Sequence, residues 1–205
     1  SDIVRQDVLD LYGVDSHVVH NGFTSIEPSG KDIKRELGID GPVLFFVGRH
    51  TDQKGITHLL YAMRKLDDTD ATLVLGGSGH QTEHLKMFAE LLGIDDRVQF
   101  PGYIAEEELG DYYEAADVFV SPSRAEPFGL TITEALAAGA QVVATPSGVR
   151  ETVPDDCLVE VTTHSDSIAD GIREALARDG EPEYEPRTWD EVADDLLDVY
   201  TQALE

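Results

Sequence analysis

Between Val43 and Val161 the chain repeats one pattern: a short continuous apolar run, a loop rich in small residues, then a longer amphipathic stretch. The apolar runs are VLFFVG (43–48), ATLVLGGSG (71–79), residues 98–100, DVFVSPS (117–123), QVVAT (141–145) and residues 157–161. Runs of this length without polar alternation fit strands buried on both faces. The stretches 55–66, 82–92, 106–116 and 130–138 read as helices; in the first, Ile56, Leu59, Leu60, Met63 and Leu66 share one side. Strands alternating with helices specify βαβ units, and right-handed crossovers then build an α/β fold with a doubly wound parallel sheet, Rossmann-like in type. Helices at 165–178 and 188–204 finish the chain. Ahead of the repeat, residues 2–12 pattern as a helix ended by Gly13. Residues 18–20 pattern as a short strand before the Asn21-Gly22 turn, and residues 29–38 as a polar helix.

Charge narrows the partners. Forty-one acidic residues face fifteen basic ones, a net charge of −26. The only lysines are Lys31, Lys34, Lys54, Lys65 and Lys86. The acids are dispersed over every segment, a composition that resembles that of halophilic archaeal proteins. It keeps the chain soluble and repels the compact state from itself until salt screens it. With no basic stripe to neutralise phosphates, nucleic acid is not an expected partner. No run approaches the roughly 18 apolar residues of a membrane span, so direct membrane insertion is not expected either. The single cysteine, Cys157, has no disulfide partner and reads as a small core residue, which makes a reducing cytoplasm the natural setting. The seven histidines show no metal-ligand spacing; His80 and His84, four apart on a helix, lack a third ligand and read as surface residues.

Chemistry-bearing residues fall after the strands, where open α/β sheets bind ligands. After the first run come Gly48, Arg49, Lys54 and Gly55; after the second, Gly76-Gly77-Ser78-Gly79; after the third, Pro101-Gly102-Tyr103. Arginine offers a planar fork to phosphate oxygens and lysine a compact charge, although each alone fits a solvated surface role. The stretch 121–153 combines a buried strand, a polar loop and a helix that starts after Gly129. The amides of Phe128, Gly129 and Leu130 begin that helix without intrahelical acceptors, a ready anion site. Glu126 and Glu134 bracket the corner. Glu126 also fits an exposed loop acid, and Glu134 also fits a charge favouring the helix dipole. Neither a dinucleotide fingerprint nor a P-loop is present.

Six patterns occur in order: G-R-x4-K-G from Gly48, GGSG from Gly76, V-x-F-x-G-Y from Val98, S-x-x-E-P-F-G-x4-E-A from Ser123, G-x-x-V-V-A-T from Gly139 and S-G-x-x-E from Ser147. Together they resemble family 4 of the glycosyltransferases, and within it the C-terminal, donor-binding half of the two-domain GT-B fold. VVHNGF, starting at Val18, resembles the lead into that half, with His20 where proline is usual. RTWDEVADDLLDVYTQAL, ending at Leu204, resembles the final helix that crosses back to the N-terminal half.

The resemblance implies a retaining, metal-independent sugar transfer from a nucleotide-diphosphate sugar, with no cofactor. It implies that Arg49 and Lys54 bind the diphosphate, and that Gly48 and Gly77 belong to the donor-binding loops. Glu126 would contact the transferred sugar near the reacting carbon, and Glu134 would hold the ribose hydroxyls. Tyr103 and Ile104 would lie by the base, and the amides of Phe128, Gly129 and Leu130 by sugar and phosphate. Glu126, Arg49 and Lys54 carry the catalytic role in this reading. Residues 1–13 would be the last helix of an N-terminal half not represented here, or a linker, 14–186 the nucleotide-sugar domain, and 187–205 the crossover helix. Acceptor binding, and most membrane association, would belong to the missing half, leaving this chain able to bind donor but without efficient transfer. Two other readings stay open: a sugar-nucleotide epimerase-like domain, and a non-catalytic nucleotide-sugar-binding subunit.

Overall fold

The structure, a computed structural model, describes residues 1–204. Six parallel strands form its centre: β1 (Val43–Val47), β2 (Thr72–Gly76), β3 (Val98–Gly102), β4 (Val118–Ser121), β5 (Gln141–Ala144) and β6 (Leu158–Glu160). Their spatial order is β3-β2-β1-β4-β5-β6. Each long connection carries a helix: α3 (Ile56–Lys65), α4 (Thr82–Leu92), α5 (Glu106–Ala115) and α6 (Leu130–Ala137), with α7 (Ser165–Leu176) following the last strand. This is the doubly wound sheet expected from the apolar runs.

Strand residues alternate between two cores. Leu44, Phe46, Leu73, Leu75, Val118 and Val120 point to one face, with Leu59, Leu60 and Met63 of α3 and Ile168 and Ile172 of α7. Val43, Phe45, Val74, Phe119 and Val142 point to the other, with Tyr113 of α5 and Ile132 and Leu136 of α6. Both faces are covered, which is why the runs are continuously apolar. Full burial of each such side chain contributes about 1.5–3 kcal/mol. Cys157 lies in the second core, where burial pushes its thiol up.

Two early assignments need correction. Residues 18–20 are not a strand: the sheet ends at β3 and β6, and no ladder partner reaches this segment. It is held by side chains instead, with His20 Nε2 2.7 Å from Glu151 Oε2. The polar helix expected over 29–38 is only α2 (Ile33–Leu37). The buried carboxylate of Asp111 draws the preceding backbone away from the helix, accepting from Gly30 and Lys31 N–H at 2.8 and 3.0 Å and from Ser29 Oγ at 2.7 Å. Asp32 then caps the shorter helix through Arg35 N–H. β3 runs to Gly102, past Pro101, which an edge strand tolerates.

The first helix, α1 (Asp2–Tyr12), buries none of its residues, and the last, α8 (Trp189–Leu204), buries only Val192. Ile3, Leu11, Tyr12, Leu197 and Tyr200 are exposed along them. No helix among the described residues is long and apolar enough to cross a membrane.

Candidate nucleotide-sugar site

Strand order reverses between β1 and β4, and the crevice outside their carboxyl ends is where such sheets bind ligands. The loop after β1 carries Gly48, Arg49 and a single 3-10 turn that presents Lys54. The loop after β4 carries Glu126 and leads into α6. Lys54 Nζ lies 2.6 Å from Glu126 Oε2, with the two side chains 25% and 16% exposed. The same loops are laced together beside this pair: Arg124 N–H donates to the Gln53 carbonyl at 2.8 Å, and Gln53 Nε2 donates to the Ala125 carbonyl at 3.0 Å. Arg49 is exposed at the end of β1.

The second loop is anchored from below and from the side. Thr145 Oγ1 donates to the Ser123 carbonyl, and Val149 N–H donates to the Phe128 carbonyl at 2.7 Å. Gly129 turns the chain into α6 at φ 105°, a conformation a side chain would strain. No acceptor among the described residues pairs with the amides of Phe128, Gly129 and Leu130. Free donors at a helix start can hold an anion.

The glycine loop after β2 packs onto the loop after β1. A Cβ on Gly77 would lie 2.0 Å from the Gly48 carbonyl oxygen, at a φ of 98°. His50, absent from the expected site residues, pins the two loops. Its backbone N–H donates to the Ser78 carbonyl at 2.9 Å, and its fully buried ring touches Thr82 Oγ1 and the Gly76 carbonyl oxygen at 2.9 and 3.3 Å. Burial holds this ring below the usual histidine range. Beyond β3, Tyr103 is 81% exposed while Ile104 turns inward against Gly76. Their backbone, not the Ile104 side chain, is what the crevice can use.

Glu134 stands apart from the Lys54–Glu126 pair. Tyr113 of α5 donates its hydroxyl to Glu134 Oε2 at 2.6 Å. Burial raises the Glu134 carboxyl above the ordinary range, and the Tyr113 bond offsets part of that. A free helix-dipole charge on the surface is therefore not its role. With Leu130, Glu106, Phe23 and Trp189 it lines a cavity of about 390 Å³. Neither His50 nor Tyr113 stands out in the sequence, because each acts only through contacts made by folding. No cluster of three or more metal-ligating side chains occurs among the described residues.

The family of glycosyl transferases group 1 matches residues 30–189. An uncharacterised glycosyltransferase of Methanocaldococcus jannaschii is 32% identical over 228 residues, covering 98% of this chain and 58% of that protein. Among solved structures, the sucrose-phosphate synthase of Thermosynechococcus elongatus superposes with a TM-score of 0.78 at 26% identity, covering 97% of this chain and 56% of that one. The Anabaena protein HepE, solved in complex with UDP-glucose, superposes with a TM-score of 0.75 at 26% identity, covering 86% of this chain and 52% of that one. The chain thus spans little more than half the length of these three proteins. Sequence match, strand order and structural likeness agree: the chain belongs to the glycosyl transferases group 1 family and is a glycosyltransferase domain of the GT-B architecture.

Proposed function

We propose that this domain binds a nucleotide-diphosphate sugar at the β1–β4 crevice and supplies the donor half of a retaining, metal-independent sugar transfer. The observation that carries the reading is the meeting of Lys54, Glu126 and the unpaired amides of 128–130 at the point where strand order reverses. The diphosphate binds to Arg49, Lys54 and those amides, beside Gly48 and Gly77. Breaking the bond from sugar to phosphate builds negative charge on the leaving diphosphate, and donors fixed in advance stabilise it without reorganising. Glu126 contacts the sugar hydroxyls near the reacting carbon, Glu134 the ribose, and the backbone of Tyr103 and Ile104 the base. The UDP-glucose complex of HepE supports a uridine diphosphate sugar as the first donor to try.

The acceptor is bound by an N-terminal domain of the same protein. The exposed apolar residues of α1 and α8, on segments 1–13 and 187–205, support a docking role for both ends of the chain. The working compartment is the cytoplasm, where nucleotide sugars are made. Calorimetric titration in molar KCl with UDP-, GDP- and ADP-sugars tests the reading. Binding of one of them is expected, and a flat titration with all three removes it.

A further inference from the structure

The Glu134 carboxylate is held by a residue that the donor-site reading does not use. Tyr113 is 1% exposed, and its ring packs in one aromatic cluster with Phe45 and Phe119, with centroids 5.4 and 5.7 Å away. A tyrosine has two side-chain torsions, and close packing around a buried ring restricts both, which leaves the hydroxyl one direction. That direction is Glu134 Oε2, at 2.6 Å. Oε1 accepts no hydrogen bond among the described residues, and the Glu134 side chain lines the cavity next to Leu130.

We propose that Tyr113 is a positioning residue: it occupies Oε2 and leaves Oε1 aimed at the cavity to accept from the vicinal hydroxyls of the donor ribose. This deepens the reading of Glu134 as the ribose ligand and rests on it. A half-buried carboxylate without its buried donor is free to turn, and it is also more easily protonated, because the Tyr113 bond is what counters desolvation there. Both effects fall on hydroxyl recognition alone. The charged diphosphate ligands, Arg49 and Lys54, sit on the loop after β1, and the amides of 128–130 are held by backbone that Tyr113 does not touch.

The test titrates UDP and 2′,3′-dideoxy-UDP into the protein and into Tyr113→Phe, Glu134→Ala and the double variant. Tyr113→Phe should weaken UDP by roughly tenfold, the size expected for a hydrogen bond to a charged group. It should leave the dideoxy analogue unchanged. On the Glu134→Ala background the Tyr113→Phe loss should vanish. UDP binding by Tyr113→Phe should also fade at a higher pH than in the parent protein, since loss of the Tyr113 bond moves the Glu134 titration upward. Equal weakening of both ligands, or of neither, overturns the proposal and leaves Tyr113 a core residue. If Glu134→Ala itself fails to discriminate the two ligands, the ribose reading of Glu134 falls, whatever Tyr113 does.

Discussion

Lys54 and Glu126 lie 72 positions apart on two different loops and form one ion pair, 2.6 Å from Nζ to Oε2. The carboxylate thus offsets the charge of the lysine. On the proposed reading a diphosphate competes with Glu126 for the lysine, and a displaced carboxylate would be free for a sugar hydroxyl. Glu126→Gln removes the competitor. UDP alone should bind that variant roughly two- to fivefold more tightly, in line with the modest worth of a partly exposed ion pair. A titration in which UDP binds it more weakly than the parent would mean that the two groups do not compete.

The close approach of Gly77 to the Gly48 carbonyl makes a second prediction. At φ 98° with backbone 2.0 Å from any added Cβ, alanine is excluded by conformation and by space together. Gly77→Ala should cost about 2 kcal/mol or more, read as a lower urea midpoint at unchanged slope. It should weaken UDP binding too, because the loop after β1 must shift. An unchanged midpoint would show that the loops are not packed as described.

Glu151 gives a pH prediction. Burial acts to raise its carboxyl, but the His20 ring at 2.7 Å and the Asp2 N–H at 2.9 Å outweigh this and hold it below the ordinary value of 4.5. A depressed folded-state value means stability that is present above the unfolded value and lost as pH falls through the folded one. The gap in unfolding free energy between the protein and Glu151→Gln should be on the order of 1 kcal/mol at pH 6. It should narrow only below pH 4.5. A gap that is the same at pH 6 and pH 3 contradicts the account.

The strands were legible because burial on both faces leaves a continuous apolar signature. VLFFV, TLVLG and QVVA lie within the expected runs, differing by a residue or so at the ends. The candidate crevice was legible because glycines and cations cluster after those runs. Residues 18–20 misled because two valines promise a strand, whereas pairing depends on a free sheet edge. The start of α2 was hidden because Asp111, far along the chain, redirects residues 29–31. The Lys54–Glu126 and Tyr113–Glu134 contacts were hidden for the same reason. Each joins side chains from separate elements, and no periodicity within one element encodes such a meeting.

The central claim is that the diphosphate of a nucleotide sits on Lys54 at the β1–β4 crevice. Calorimetric titration of UDP and of uridine into the protein and into Lys54→Ala tests it most directly. Loss of one charge-assisted phosphate contact should weaken UDP by roughly tenfold or more and leave uridine unchanged. Equal weakening of both ligands, or of neither, would place the diphosphate elsewhere.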